Sequence, residues 1–174
     1  MPDLRIRAAE PTDADGLVEL SNLPGVRHGT LRMPYTSRST VQKGLEGRPG
    51  VHILVAVLGG EDAPAERVIG QAVLVQQQGR RSHAGEVYLF VHDDYVGQGV
   101  GTALMTALLG LADHWIGLRR VELTVNTDNA RAIRLYERCG FEHEGTRRAD
   151  VLRDGELVDC HMMARLRDAP PRRA

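Results

Sequence analysis

Leu4, Ile6 and Ala8 alternate with Arg5 and Arg7, and this period of two predicts a half-buried first strand. Pro11-Thr12-Asp13-Ala14-Asp15 then offers helix-start residues, and Leu17, Val18 and Leu20 follow at helical spacing until Pro24-Gly25, which reads as a stop. Between residues 26 and 50 the pattern weakens, because Pro34, Pro49 and several glycines interrupt it. Only 39–46 can hold a helical turn or two there, and the stretch is assigned to the substrate side without a definite structure. Residues 51–58 form a nearly continuous apolar run that reads as a strand, 59–66 a turn-rich connector, and 68–77 a strand that pairs with 51–58 as an antiparallel hairpin. After the turn at Gly79-Arg80-Arg81-Ser82, residues 86–92 are apolar on both faces, which predicts a central strand.

A glycine-rich loop, Gly97-Gln98-Gly99-Val100-Gly101, opens a long amphipathic helix with Val100, Leu104, Leu108, Leu111 and Trp115 on one face. Residues 120–125 alternate as a strand, 126–129 lead into a helix ending at Gly140, and 141–152 and 156–166 are two strands joined at Arg153-Asp154-Gly155. Strands alternating with helices indicate a mixed α/β sheet. The chain has no internal repeat, so one domain is expected over residues 1–168, with a disordered tail at 169–174 around Pro170-Pro171-Arg172-Arg173.

Composition narrows the chemistry. With 174 residues and 42% apolar content the chain can bury a single core, and 22 basic against 23 acidic residues leave no positive field for unspecific nucleic-acid binding. The longest aliphatic run, residues 53–58, is far short of the roughly 20 residues of a membrane span, and the N-terminus has no apolar leader. Cys139 and Cys160 suggest neither a disulfide framework nor a zinc knuckle, so no metal and a cytoplasmic location are expected, without a membrane partner. Lys43 is the only lysine and lies in a polar stretch, which argues against a phosphate-binding Gly-Lys-Ser/Thr loop and against a pyridoxal enzyme. No GxSxG elbow or HExxH pair is present.

The loop at 97–101 joins a central strand to a long helix, where glycines let backbone approach an anion and the helix N-terminal N–H groups face it. By geometry this is a pyrophosphate cradle, although tight packing without a ligand explains such a turn equally well. A dinucleotide fingerprint is excluded, since the required third glycine falls on Thr102 or Leu104. Together with Gly99-Val100-Gly101, the segment Asn129-Ala130-Arg131-Ala132-Ile133-Arg134-Leu135-Tyr136-Glu137-Arg138-Cys139-Gly140-Phe141 resembles the GCN5-related N-acetyltransferase (GNAT) family over nearly all positions of its two motifs. Similarity extends over almost the whole chain. Residues 29–34, 80–83 and 153–159 look most like bacterial L-amino acid N-acetyltransferases.

That resemblance implies a mixed, mostly antiparallel sheet of about seven strands flanked by about four helices. It further implies acetyl-CoA in a V-shaped split between the fourth and fifth strands. The pantetheine would bond to backbone near Leu89, Phe90 and Val91, and the pyrophosphate would rest on Gly97, Gln98, Gly99, Val100, Gly101 and Thr102. Asn129 would contact the cofactor arm and Tyr136 would point its hydroxyl at the thioester sulfur. The motif's usual Gln or Arg, three residues before Gly99, is Val96 here, which shifts affinity onto backbone N–H groups and Gln98. Relatives commonly form homodimers, but no interface can be read from this chain.

Acyl transfer to an amine calls for a base, since an α-amine of pKa near 8 is mostly protonated at pH 7, and for a donor to the departing thiol. Glu86, on the central strand beside Tyr88 and Phe90, is the leading base; the alternative is an ion pair with Arg80 or Arg81. A phenol near pKa 10 giving its proton fully to a thiolate near 8.5 runs uphill by roughly 2 kcal/mol, so a hydrogen bond from Tyr136 is the safer role, unless it only packs against Ile133 and Cys139. An amino acid acceptor needs a cation for its carboxylate, and Arg80, Arg81, His83 and Arg32 are candidates alongside their reading as solvated side chains. His92, His143 and His161 read as strand-edge or packing histidines, and Cys139 lacks a partner base, so direct attack without an acetyl-enzyme is expected. The leading activity is transfer from acetyl-CoA to the α-amine of a small acceptor, a free L-amino acid with an apolar side chain such as methionine or phenylalanine. Alternatives are acetylation of protein N-termini or other small amines, and a non-catalytic acetyl-CoA-binding module.

Overall fold

In the computed structural model, which describes residues 4–59 and 66–167, seven strands and five α-helices are present. The strands are β1 (Leu4–Ala8), β2 (Val51–Leu58), β3 (Arg67–Gln76), β4 (Ala84–Val91), β5 (Arg120–Asn126), β6 (Glu142–Arg153) and β7 (Glu156–Leu166). The helices are α1 (Ala14–Asn22), α2 (Pro24–Gly29), α3 (Arg38–Leu45), α4 (Val100–Leu111) and α5 (Ala130–Arg138). Most of the 59–66 connector and the 169–174 tail lie outside the described residues.

The strand order is β1-β2-β3-β4-β5-β7-β6, a mixed and mostly antiparallel sheet with β4 in the middle, as its two apolar faces predict. β4 and β5 run parallel because a helical crossover, α4, carries the chain between them. β6 and β7 form a hairpin that follows α5, and β7 is the strand of the two that pairs with β5. Asp154 and Gly155 turn that hairpin with φ values of 51° and 88°, the left-handed pair that a two-residue turn requires.

The described residues fall into two compact units. The first comprises 4–59, 66–74 and 88–108. Leu17 and Leu20 of α1, Val26 of α2, Val55 and Val57 of β2, Val68 of β3 and Phe90 of β4 form its core cluster, with Val41 and Leu45 of α3 packed against it. Asp13, just before α1, accepts two hydrogen bonds from Arg7 and one from the Glu10 N–H. Burial works to raise its carboxyl pKa, and those bonds outweigh it, leaving the group below the usual range. Pro24-Gly25 does not simply end a helix. α1 stops at Asn22, and Pro24 opens α2, where its fixed φ and missing N–H cost nothing.

The second unit comprises 75–87 and 109–167. Here the predicted helical face breaks: Val100, Leu104 and Leu108 are buried, but Trp115 is 85% exposed. Residues Ala112–Ile116 form a π turn, which takes one residue more than an α turn, so a step of four from Leu111 no longer returns to the buried face. Arg165 of β7 makes a bidentate bond to Asp113 in that turn, at 2.8 and 2.7 Å. These bonds, acting against burial, hold the Asp113 carboxyl below its ordinary range.

Candidate active site

In the first unit β4 gives way to a short 3-10 turn, Asp93–Tyr95, followed by Val96 and the glycine loop. Gly97 and Gly99 have φ of 84° and 88°, conformations that any L side chain would strain, and a Cβ at either position would meet nothing within 4 Å. The glycines are therefore required by backbone conformation, and their open side is free for a ligand to approach. Ala103 N–H bonds to Gly99 C=O at 2.9 Å, which leaves the N–H groups of Val100, Gly101 and Thr102 in the first turn of α4, where no intrahelical acceptor exists. Gln98 braces the loop from within, its side-chain amide donating to Asp94 C=O at 2.7 Å.

Three contacts fix this loop from beneath. Asp93 accepts from the Gly25 N–H at 2.9 Å, and an added Cβ at Gly25 would lie 2.5 Å from the same carboxylate and push it aside. His92 is buried, accepts the Asp94 N–H at Nδ1 and sets its ring edge-on to Tyr95 at 5.4 Å, which makes it a packing histidine. At Gly70 of β3 an added Cβ would come within 2.9 Å of Leu104 Cδ1 and 3.3 Å of Phe90 C=O, so its missing side chain lets the start of α4 settle on the sheet.

Arg32 follows α2 in the same unit. Its guanidinium carbon lies 4.4 Å from the centroid of Phe90, and its Nη2 donates to Gln71 Oε1 at 3.2 Å. Burial lowers its pKa from the ordinary arginine value, and no carboxylate pairs with it among the described residues. Gln71, 6% exposed in an otherwise apolar stretch of β3, was not singled out from sequence. The available signal was a lone amide in the run Val68-Ile69-Gly70-Gln71-Ala72-Val73-Leu74.

In the second unit the parallel pairing runs Ala84↔Arg120, Gly85↔Val121 and Glu86↔Glu122, while β4 itself continues to Val91 and β5 to Asn126. Glu86 is half-buried, and its carboxylate has no hydrogen-bond or ion-pair partner among the described residues. Arg81 instead bonds Glu122, which also accepts from Arg120 at 2.7 Å, and Arg120 further clamps Glu144. Arg80 and His83 are exposed in the preceding turn, and His83 C=O accepts from the Arg119 N–H at 2.9 Å.

Asn129 caps α5, its Oδ1 accepting the Ala132 N–H at 3.2 Å. Tyr136, two turns on, is 7% exposed and packs against Phe141 with ring centroids 5.9 Å apart. Its hydroxyl has no hydrogen-bond partner among the described residues, and burial, with a smaller contribution from Cys139, pushes its pKa up to about 12. Burial likewise raises the Cys139 thiol. His143 and His161 satisfy each other, with Nε2 and Nδ1 at 3.0 Å and Thr146 Oγ1 between the strands beside both. Among the described residues no group of three or more His, Cys, Asp or Glu side chains is arranged to hold a metal ion, and no helix is long and apolar enough to cross a membrane.

The geometry can be set beside known proteins. The sequence profile of the acetyltransferase (GNAT) family matches residues 18–141. L-amino acid N-acetyltransferase AaaT of Escherichia coli (strain K12) is 38% identical over 96% of this chain and 100% of its own length. Among solved structures, an acetyltransferase of the GNAT family from Streptococcus pneumoniae superposes with a TM-score of 0.81, at 26% identity over 94% of this chain and 99% of that one. The fold is shared with yncA of Salmonella typhimurium, solved with its cofactor acetyl-CoA, at a TM-score of 0.81 and 22% identity over 97% of this chain and 96% of that one. A family profile spanning most of the chain and a relative aligned end to end agree with the seven-stranded sheet and glycine loop: the chain belongs to the acetyltransferase (GNAT) family and is an N-acetyltransferase.

Proposed function

We propose that this enzyme transfers the acetyl group of acetyl-CoA to the α-amine of a free L-amino acid, with residues 1–168 acting as one catalytic domain in the cytoplasm. The observation that carries the acceptor class is the match to an L-amino acid N-acetyltransferase over that enzyme's full length. The glycine loop fits a pyrophosphate, since the open side of Gly97 and Gly99 and the N–H groups of Val100, Gly101 and Thr102 supply donors without an arginine or glutamine at Val96. Leu89, Phe90 and Val91 offer backbone groups for the pantetheine amides. Asn129, whose Oδ1 is used by the cap, has its amide N–H2 left for the cofactor arm. Acetyl-CoA supplies the activated acetyl thioester; the remaining work falls to the chain.

Glu86 is the proposed base. Neither arginine that could have neutralised Glu86 is bonded to it, since Arg81 is engaged by Glu122 and Arg80 is exposed in the turn, and its carboxylate remains available to take a proton from the acceptor ammonium, directly or through water. Tyr136 is the proposed donor to the departing thiolate. With its pKa near 12 the phenol stays protonated, and it stabilises developing negative charge by a hydrogen bond rather than by full proton transfer. The acceptor carboxylate requires a cation from the set Arg32, Arg80, Arg81 and His83. Exposed Leu31 and Met33 flank Arg32 and suit an apolar acceptor side chain such as that of methionine or phenylalanine.

Steady-state release of CoA across a panel of free amino acids, peptides, polyamines and aminoglycosides tests this reading. Turnover with L-amino acids supports it. Turnover confined to peptides or polyamines refutes the acceptor, and tight acetyl-CoA binding without turnover on any amine refutes the enzyme.

A further inference from the structure

We infer that Arg32, set between the Phe90 ring and the Gln71 amide, is the receptor for the anionic group of the acceptor and determines the preference for carboxylate-bearing amines. The inference rests on the proposed function and selects one cation from the four that sequence offered.

The selection follows from what each cation already holds. Arg81 is committed to Glu122, and Arg80 and His83 are exposed in a turn, where water competes for any anion. Arg32 differs on every count. Its guanidinium is stacked 4.4 Å from the centroid of Phe90, is partly withdrawn from water, and has no carboxylate partner among the described residues. A cation partly withdrawn from water and without a counter-ion holds its charge at a cost, and it gains most when an anion arrives.

The amide beside it completes the site. Arginine has only donors, so Gln71 must turn its oxygen toward Arg32, and the 3.2 Å bond fixes that orientation. The amide N–H2 of Gln71 then has no protein partner among the described residues and still reaches solvent from a side chain that is otherwise buried. One hydrogen bond uses one of the five guanidinium donors, and the remaining donors, with the Gln71 N–H2, match the two oxygens of a carboxylate. The loop is itself held: Thr30 Oγ1 donates to Val26 C=O at 2.7 Å and accepts the Arg32 N–H at 3.3 Å, so the side chain starts from a fixed backbone.

The same chemistry would suit a phosphate of the cofactor, and kinetics separate the two. For wild type, Arg32→Gln and Arg32→Lys, KM is measured for acetyl-CoA, for L-methionine and for L-methioninamide, with melting temperature as the control for folding. The expected result for Arg32→Gln is a KM for L-methionine raised roughly 10- to 100-fold, unchanged KM for acetyl-CoA, and loss of the preference for acid over amide. Arg32→Lys, which keeps charge but not the planar fork, should recover part of the loss. A rise in KM for acetyl-CoA instead, or an unchanged acid-to-amide ratio in a folded Arg32→Gln, overturns the inference while wild-type turnover of L-methionine leaves the proposed function standing. Failure of wild-type enzyme to acetylate any carboxylate-bearing amine refutes the function, and the inference with it.

Discussion

A tyrosine hydroxyl that burial pushes up to a pKa of about 12 stays protonated at any pH used for assay and keeps its proton to donate. Replacing Tyr136 by Phe should therefore lower kcat about 10- to 100-fold while leaving KM for acetyl-CoA nearly unchanged, and the pH profile of kcat should show no tyrosine limb below pH 10. The same burial has a consequence for stability. Between the ordinary phenol value of 10.0 and about 12 the folded chain binds a proton that the unfolded chain has lost. The contribution is whole below pH 10 and disappears as pH rises through 12, up to about 3 kcal/mol. Alkaline unfolding followed by circular dichroism should show this loss in wild type and a shallower one in Tyr136→Phe. A motif marked Asn129 and Tyr136 in the sequence, and the fold puts them at the cap and on the buried face of α5. Gln71 was not so marked, because one polar residue in an apolar strand says only that it is buried, and its partner Arg32 lies 39 positions away.

Among the elements, α4 carries the most for its length, since its first turn presents the glycine loop. Gly70 is where it rests on β3, and Gly70→Ala would force Leu104 and the Phe90 carbonyl apart. A loss of about 1–3 kcal/mol is expected, together with a raised KM for acetyl-CoA, because the displaced helix carries the proposed pyrophosphate donors with it. Gly99→Ala meets no such neighbour, so its cost should be only the strain of φ 88°, about 1 kcal/mol, and calorimetry should separate the two. At the other end of the helix, the Asp113–Arg165 pair joins the π turn to β7. Because its carboxyl is depressed, the contribution of Asp113 is complete above its unfolded value and is lost as pH falls through the lower folded one. Asp113→Asn should cost about 1–2 kcal/mol at pH 7 and flatten the acid limb of unfolding below the ordinary carboxylate range. Strand positions were readable from alternation almost to the residue. The misreadings came where a second signal competes with periodicity: Pro24 serves as a helix start as well as a stop, and the π turn moves Trp115 off the face that a period of 3.6 assigns it.

At the scale of the molecule, the sheet order follows from the connections. One helical crossover makes β4 and β5 parallel, a tight hairpin makes β6 and β7 neighbours, and β7 is the one that pairs with β5. Strand count was visible in sequence because each strand is either an alternating segment or an apolar run bounded by turn residues. The order of β6 and β7 was not, since nothing in either strand records which one meets β5. The central claim is that this acetyltransferase acts on the α-amine of a free amino acid, and one competition experiment tests it most directly. Enzyme and acetyl-CoA are mixed with L-methionine, L-methioninamide and a peptide beginning with methionine at equal concentrations, and the early product ratio is read by mass spectrometry. The account predicts that N-acetyl-L-methionine exceeds the other two products by at least roughly tenfold, the selectivity of one charge-assisted hydrogen-bonded contact. An excess of acetylated peptide or amide would contradict it.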